Sequence, residues 1–264
     1  SMLGPKNRRY FFVQDLEWRS LDSTTVSRAL RYVILYYYRR GTVLSANAYL
    51  TAQLRALSIT VSFQLPIWAD SSFLTSIGTQ RDIDFVMVLR KGAHKRLDLY
   101  QAFIDKVKLL GTPTLAVISS EDEIVAAVSS HVSICLARPS SEQMRSIYGR
   151  SKVFIHLSEH EGFGLPPLEA MGAGCVPLCR DSGGVRAYMT LAQPLSQLLV
   201  PLDTPIESIV AAAYRLLANS EAWESLSECA RDVFQQGLRT NAEARRAALR
   251  SCAMRPTRSY QSPG

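Results

Sequence analysis

Two glutamates eight residues apart, Glu161 and Glu169, are the residues whose types and spacing most clearly suggest chemistry in this 264-residue chain. They lie in the stretch SEHEGFGLPPLEAMGAGCVPL, on either side of a Gly-Phe-Gly turn and a pair of prolines. A carboxylate accepts hydrogen bonds through both oxygens, so it suits the neighbouring hydroxyl groups of a sugar. The spacing predicts two hydroxyl-binding points on one long ligand, whereas a third carboxylate, Glu159, is predicted to be a solvated turn residue.

The elements around the two glutamates are predicted to be a strand over 153–157, a glycine-rich turn, and a helix that begins near Pro166. Proline suits a first helical turn because its missing N–H would have no partner there. A turn at the carboxyl end of a parallel strand is where such sheets bind ligands. Free backbone amides and the positive end of the helix dipole predict an anion site in the turn, and glycine is expected to allow positive φ and close backbone approach. The amides are those of Gly162, Phe163, Gly164 and Leu165.

A ligand with a sugar at one end, a phosphate in the middle and a ribose at the other would use all of these groups. The stretch therefore favours a nucleotide sugar. One alternative is structural, namely a glycine-rich turn followed by a helix with an exposed glutamate. Another alternative is the acid–base pair of a glycoside hydrolase, which we disfavour because a hydrolase does not need a phosphate-type turn.

The segment EGFGLPPLEAMGAGCVPL resembles the E-x7-E signature of the large retaining family of GT-B glycosyltransferases. The resemblance implies that Glu161 contacts hydroxyls of the donor sugar and that Glu169 contacts the ribose of the nucleotide. It also implies that the amides of the glycine-rich turn bind the pyrophosphate and the sugar. The fold implied is a Rossmann-like C-terminal domain with a parallel sheet, preceded by a partial N-terminal α/β half.

A second segment, VLRKGAHKRLDL, carries the resemblance through an arginine followed five residues later by a lysine. The family uses such a pair to hold the donor pyrophosphate, which implies this role for Arg90 and Lys95, with Lys91 and Arg96 as substitutes. A solvated basic loop is the alternative. Cations at this position would stabilise the departing diphosphate, so we expect sugar transfer without a metal ion or a cofactor. The acidic segment 82–84 is assigned no metal.

Three further site assignments are weaker. The loop LARPSS is expected to place Arg138 or Pro139 against the nucleobase. His160 is predicted to touch the donor or, equally, to be an exposed loop histidine. His156 alternates within a strand and is predicted to be a core residue.

Short apolar runs alternate with helical patterns along the chain, which predicts an α/β fold with parallel sheets. Segment 65–84 lacks clear periodicity and is interpreted as a linker. The predicted domains are a partial N-terminal α/β unit over 1–64, a nucleotide-sugar-binding domain over 65–239 and a basic tail over 240–264. The segments YFFVQDLEW and VLSANAYLTAQL resemble bacterial rhamnosyltransferases of surface-polysaccharide synthesis, but only the last third of their N-terminal domain. We therefore expect a longer natural protein, or an additional domain or subunit.

Composition limits the class of protein further. Apolar residues make up 47% of the chain, which is enough for a sizeable core. The five scattered cysteines predict a reducing compartment, and the protein is expected in the cytoplasm, with the inner face of the membrane as an alternative location. The net charge of +7 reflects basic residues near both ends, which predict either solvated termini or peripheral contact with anionic lipid. Basic residues interleaved with aromatics, as RNA binding requires, are not found.

The resulting functional prediction is a glycosyltransferase that moves a sugar from a nucleotide diphosphate sugar to a hydroxyl acceptor. The expected acceptor is a glycan or a lipid-linked glycan, in polysaccharide or glycoconjugate synthesis. The alternative is a donor-binding module that is not catalytic by itself.

Overall fold

The N-terminal unit is a small parallel sheet with two helices. The computed structural model describes residues 9–20, 24–74 and 80–254, and all structural statements refer to them. Parallel neighbours require crossover connections, and helices supply both of them here. The strands, paired in chain order, are β1 (Tyr10–Val13), β2 (Thr42–Ser45) and β3 (Val61–Gln64), and the helices are α1 (Thr24–Tyr38) and α2 (Ala48–Ala56).

The C-terminal unit is built on a six-stranded parallel sheet. Its strands are β4 (Ile83–Val88), β5 (Leu115–Ser119), β6 (Ile134–Ala137), β7 (Ser151–His156), β8 (Val176–Arg180) and β9 (Leu199–Val200). They lie in the order β6-β5-β4-β7-β8-β9, so the chain runs outward from β4, returns to the centre and runs outward on the other side from β7. The strand order therefore reverses between β4 and β7, which is where open α/β sheets bind ligands.

Helices cover both faces of this sheet. They are α3 (Leu97–Leu110), α4 (Asp122–Val128), α5 (Ser141–Arg150), α6 (Leu165–Gly172), α7 (Arg186–Met189), α8 (Gln193–Ser196), α9 (Ile206–Ala218) and α10 (Ser220–Met254). Successive side chains of β7 enter different cores, since Val153 and Ile155 pack on one face and Phe154 on the other. Burial on both faces explains why the central strands are continuous apolar runs.

The strand predicted over 153–157 and the helix predicted near Pro166 are present, with ends shifted by one or two residues, and the chain passes from one sheet to the other within 65–84. Part of that segment, 75–79, lies outside the described residues. The part before it is packed against the C-terminal unit, because the indole N–H of Trp68 donates to the Phe234 carbonyl at 3.0 Å. The Trp68 ring also contacts Phe163 and Tyr188.

The largest difference concerns the last helix. The sequence predicts a helix over 221–237 and a tail from 240, whereas α10 continues to Met254. Alanine and arginine make up most of 242–250 and are strong helix formers, which accounts for the extension. Residues 255–264 lie outside the described part, as do residues 1–8 at the other basic end. No helix within the described ranges is both long enough and apolar enough to span a bilayer.

Candidate functional site

A cleft of about 620 Å³ lies beside the point where the strand order reverses. The loop after β4 contributes Arg90 and Lys95, and the loop after β7 contributes Glu161. Gln14 and Asp15, which directly follow β1, form part of the wall from the N-terminal unit. All of the predicted site residues except His160 line this one cleft, namely Arg90, Lys95, Arg138, Glu161, Gly162, Phe163, Gly164, Leu165 and Glu169.

One part of the cleft, here called the Glu161 end, consists of Asp15, Lys95, His156 and Glu161. The Lys95 ammonium donates to Glu161 Oε1 at 2.9 Å, and the two side chains are 20% and 14% exposed. His156 Nε2 is 3.7 Å from the same oxygen. The ion pair was not foreseen from the sequence, which assigned Lys95 to a diphosphate.

Burial and charge act in opposite directions on the pKa of Glu161. Burial raises this pKa, but the neighbouring groups His156 and Lys95 outweigh it, so the pKa is lowered. Burial also lowers the pKa of His156 to about 4, so the imidazole is neutral at pH 7. Near neutral pH, Lys95 is therefore the charged partner of Glu161 at this end of the cleft. The prediction that His156 is buried is confirmed, and its place in the cleft was missed.

The backbone of Glu161 is fixed by the turn that follows β8. Its N–H donates to the Ser182 carbonyl at 3.0 Å, and its carbonyl accepts from the Gly184 N–H at 3.0 Å. A Cβ on Gly184 would lie 2.5 Å from the Glu161 oxygen, so only glycine allows this approach. The carboxylate thus has a defined position before any ligand binds.

The Glu169 end of the cleft consists of Arg90, Tyr148 and Glu169. The Tyr148 hydroxyl donates to Glu169 Oε2 at 3.5 Å, the limit of a hydrogen bond. Burial raises the pKa of Glu169, and the charge of Arg90 and the contact with Tyr148 only partly oppose it. Arg90 makes no ion pair within 4 Å in the described part of the chain. This end therefore offers an exposed cation and a carboxylate that lacks a strong partner.

Between the two ends lies the turn that begins α6. Gly164 has φ of +81°, as predicted for a glycine in this turn. Within the described residues, the amides of Phe163, Gly164 and Leu165 donate to no acceptor, so they are open to an anion. The two prolines that follow have no N–H, so the donors are confined to the turn while the helix dipole adds to their effect.

Gly162 departs from the prediction, because its φ is not positive. A Cβ at this position would lie 2.0 Å from the Gln14 carbonyl oxygen, and the Asn47 side chain donates to the Gly162 carbonyl at 2.6 Å. Glycine is needed here because the backbone of the N-terminal unit packs against the turn. The sequence predicted that a ligand approaches the backbone closely here, but the group that does so is the Gln14 backbone of the protein.

His160 is the second correction. The ring does not line the cleft, and it is buried rather than exposed. Its Nε2 is 3.0 Å from Asp15 Oδ1, while its Nδ1 is 3.4 Å from Arg19 Nη1 and 3.3 Å from the Tyr49 hydroxyl. The guanidinium can only donate, so Nδ1 accepts and the proton of the neutral ring lies on Nε2, directed at Asp15. His160 thus joins the Glu161 turn to the N-terminal unit.

The other basic residues predicted for the site form hydrogen bonds or ion pairs with residues other than Glu161 and Glu169. Lys91 pairs with Glu123 and Arg96 with Asp98, and neither lines the cleft, so the structure favours Lys95 over these substitutes. Arg138 lines the cleft, but its guanidinium donates to Asp122 and to the Ser120 carbonyl.

The two aspartates of segment 82–84, to which the sequence assigned no metal, also form ion pairs. Asp82 bonds Arg150 and Asp84 bonds Lys152, at the amino end of β4, opposite to the cleft.

The sequence interpretation missed the residues of the N-terminal unit that reach the site: Gln14, Asp15, Asn47 and Tyr49. Gln14 and Asp15 directly follow an apolar strand, which was a usable signal, since polar residues at the carboxyl ends of parallel strands face ligands. Asn47 also accepts from the Leu50 N–H at 2.8 Å as the N-cap of α2.

Comparison with known proteins matches residues 125–233 to the family described as "Glycosyl transferases group 1". This range contains both glutamates and the turn between them. A stretch of 70 residues is 46% identical to the GDP-mannose:cellobiosyl-diphosphopolyprenol alpha-mannosyltransferase of Xanthomonas oryzae pv. oryzae, covering 26% of this chain and 18% of that protein. The matches cover 14% to 25% of the length of the curated relatives.

Two solved structures resemble the whole described fold. Sucrose-phosphate synthase from Thermosynechococcus elongatus gives a TM-score of 0.74 at 16% identity, covering 93% of this chain and 68% of that one. Anabaena Alr3699/HepE in complex with UDP-glucose gives 0.71 at 12% identity, covering 92% and 72%. The likeness confirms the expected GT-B type α/β fold with parallel sheets.

Proposed function

We propose that this chain is a glycosyltransferase that moves a sugar from a nucleotide diphosphate sugar to a hydroxyl acceptor, in polysaccharide or glycoconjugate synthesis. The observation that carries the proposal is the order of groups along one cleft. A carboxylate paired with Lys95 lies at one end, open amides lie in the middle, and a second, partly buried carboxylate lies beside Arg90 at the other end. The family match over 125–233 supports the same assignment.

In this proposal Glu161 binds hydroxyls of the donor sugar and Glu169 binds the ribose, which is the role that the E-x7-E resemblance implies. The diphosphate lies against the amides of 163–165, beside Arg90 and Lys95. During transfer the anomeric carbon exchanges its bond to a diphosphate oxygen for a bond to the acceptor oxygen. The diphosphate departs with the bonding electron pair, and the proton of the acceptor hydroxyl passes to that diphosphate. Arg90, the amides and the helix dipole stabilise the charge that develops on the leaving group. Protein cations then take the place of a metal ion, and no cofactor is required.

In this scheme the Lys95 ammonium can pair either with Glu161 or with the diphosphate. Without ligand the ammonium is bound to Glu161 at 2.9 Å. A diphosphate carries more negative charge than one carboxylate, so it would draw Lys95 toward itself and free Glu161 to accept from sugar hydroxyls. Donor binding would thereby exchange one ion pair for another without leaving a buried charge unpaired.

Isothermal titration calorimetry with UDP, GDP and dTDP, and with sugars linked to them, tests the proposal. We expect one nucleotide series to bind, and Glu169→Ala to weaken the affinity about 10-fold or more, as losing hydrogen bonds to a charged group does. Glu224→Ala, which removes an exposed carboxylate of α10, is the matched control and should change nothing. The site assignment fails when no nucleotide binds better than millimolar, or when both variants bind as the wild type does.

The names of the relatives suggest which substrates to try. The Xanthomonas relative is named for GDP-mannose and a cellobiosyl-diphosphopolyprenol, and the HepE structure contains UDP-glucose. We infer a UDP- or GDP-linked donor and a glycan or lipid-linked acceptor for this chain as well. We also infer that the protein works in the cytoplasm, at the inner face of a membrane.

Helix α1 supports such a membrane contact. Tyr32, Tyr36 and Tyr37 are 76%, 51% and 42% exposed, and the segment 24–40 contains no acidic residue. The Arg40 guanidinium lies 3.7 Å from the centre of the Tyr36 ring. Exposed tyrosines beside arginines fit the interface of an anionic bilayer.

Co-sedimentation with phosphatidylcholine vesicles, with and without phosphatidylglycerol, tests the membrane contact. Tyr32→Ser combined with Tyr36→Ser should reduce binding to the anionic vesicles. Leu109→Ser combined with Leu110→Ser removes similarly exposed apolar side chains from α3 and should not. Binding that ignores the anionic lipid would contradict the contact.

A non-catalytic donor-binding module is the second candidate function. It is favoured by the size of the N-terminal unit, which has three strands in the described residues, and by the small share of each curated relative that is matched. Nucleotide binding without sugar transfer to any tested acceptor by the full-length protein would support the module. Release of nucleotide that depends on an acceptor would support the enzyme.

A further inference from the structure

The wall of the Glu161 end that comes from the N-terminal unit presents one carboxylate, that of Asp15. The side chain is 33% exposed and lines the cleft across which Lys95 and Glu161 lie. The E-x7-E resemblance assigns no role to this position.

Asp15 is held by one oxygen only. Its Oδ1 accepts from the Leu16 N–H at 2.7 Å and lies 3.0 Å from His160 Nε2. Within the described residues, Oδ2 accepts no hydrogen bond. Two donors on one oxygen fix the orientation of the carboxylate, so the second oxygen remains available at the surface of the cleft.

His160 is itself held in place on its other side. Arg19 Nη1 and the Tyr49 hydroxyl lie within 3.4 Å of Nδ1, and Arg19 Nη2 donates to Gln53 Oε1 at 2.7 Å. This chain of contacts fixes the ring and the atom that bears its proton. A carboxylate on a solvated loop does not need such a set of hydrogen bonds. Binding and catalytic groups in proteins are commonly oriented by neighbouring side chains in this way.

The charge state fits a hydroxyl-binding role. Burial raises the pKa of Asp15, but the contact with His160, the Leu16 amide and the charge of Lys95 outweigh it, so the pKa is lowered. The carboxylate is therefore ionised near neutral pH and can only accept hydrogen bonds. A hydroxyl group can donate to it, whereas a phosphate or a second carboxylate would be repelled.

We propose that Asp15 binds the attacking hydroxyl of the acceptor through its free Oδ2, with His160 as the residue that positions it. This inference rests on the proposed function, since it takes the Glu161 end as the place of the donor sugar. The N-terminal unit then supplies the acceptor-side group, and the C-terminal unit supplies the donor-side groups. Asp15 orients the hydroxyl and takes no part in bond making.

The Asp15→Asn substitution tests the proposal, because the amide oxygen can keep both contacts of Oδ1 while the free oxygen becomes an NH2 donor. The measurement is saturation-transfer NMR with methyl glycosides and methyl cellobioside, on the full chain with and without UDP. We expect the affinity of a probe that binds the wild type to fall about 10- to 100-fold, as for a lost hydrogen bond to a charged group. UDP, which carries no donor sugar, should bind the variant as it binds the wild type.

Glu159→Gln is the matched control, because Glu159 is a neighbouring carboxylate whose side chain is 55% exposed and does not line the cleft. It should bind every probe as the wild type does. Equal probe affinity in Asp15→Asn and the wild type overturns the proposal, and so does a lack of probe binding to the wild type. If neither UDP nor GDP binds, the proposed function is contradicted instead, and the Asp15 comparison can still be made without a nucleotide.

His160 is tested by rescue. His160→Ala should weaken probe binding, and His160→Gln should restore most of it, because a glutamine Nε2–H can donate to Asp15 where the imidazole did. Equal probe affinities in these two variants would show that His160 has no positioning role. A thermal denaturation curve for each variant separates loss of the contact from loss of the fold.

Discussion

The two ends of the cleft hold the same side chain in different surroundings. At the Glu161 end, Lys95 lies 2.9 Å from the carboxylate, and the pKa of Glu161 is lowered. At the Glu169 end, the hydrogen-bond donor is the Tyr148 hydroxyl at 3.5 Å, and burial raises the pKa of Glu169. The first carboxylate is satisfied in the protein alone. The second becomes well satisfied only when a ligand supplies further donors.

The ends differ also in which part of the chain builds them. Asp15 belongs to the N-terminal unit and contacts the Glu161 turn through His160. Arg90, Tyr148 and Glu169 all belong to the C-terminal unit. The contrast indicates that the Glu161 end depends on packing between the units, whereas the Glu169 end requires one unit only. Variants at each end should therefore fail in different ways.

The largest expected effect is that of Lys95→Met, which leaves Glu161 buried without its cation. Removing one partner of a buried ion pair is costly, and we expect the free energy of unfolding to fall by about 3 kcal/mol. Thermal and urea denaturation measure the loss. Lys106→Met is the control, because Lys106 and Glu207 form an exposed pair whose loss should change the stability much less. Equal losses in the two variants would contradict the role given to the Lys95–Glu161 pair.

The pH dependence of this loss has a definite sign. The pKa of Glu161 is lowered in the folded protein relative to its ordinary value of 4.5. The stabilisation is therefore present above that value and disappears as the pH falls through the lower folded-state pKa. The difference between the wild type and Lys95→Met should shrink in acid. A difference that stays constant with pH would show that lost packing, rather than lost charge, is the cause.

Gly162→Ala tests whether the Glu161 end depends on the N-terminal unit. The new Cβ would lie 2.0 Å from the Gln14 carbonyl, so the two units must move apart, at a cost of about 2 kcal/mol. Gly111→Ala is the control, since its nearest neighbour would be the Tyr214 hydroxyl at 3.9 Å. The melting temperatures of both variants provide the comparison. A Gly162→Ala protein as stable as Gly111→Ala would mean that the units do not pack as described.

Features set by local sequence were predictable from the chain. Strand and helix alternation gave the two parallel sheets, and a left-handed glycine in the turn was expected at 164. Ser140 caps α5 with a capping box, which is a local signal because Gln143 follows three residues later. The glutamate stretch also gave the strand, turn and helix at the cleft, because all of the necessary signals lie within about twenty consecutive residues.

Features set by distant contacts were not predictable in the same way. His160 and Asp15 are 145 positions apart in the chain, and Lys95 and Glu161 are 66 apart. Nothing in the residues around His160 distinguishes a ring directed at the cleft from one directed at the other unit. Gly162 was misinterpreted for the same reason, because the backbone that it accommodates comes from Gln14.

The smallest expected effect is a gain in stability at the Glu169 end. Burial raises the pKa of Glu169, so the ionised form costs folding free energy, and stability is lost as the pH rises through the folded-state pKa. Glu169→Gln should therefore stabilise the unliganded protein near pH 8, by less than the changes expected for the other variants, with little effect near pH 4. Glu161→Gln should instead destabilise it near pH 8, since Lys95 then loses its charged partner. Melting curves across this pH range measure both, and a Glu169→Gln protein less stable than the wild type near pH 8 would remove the contrast between the two ends.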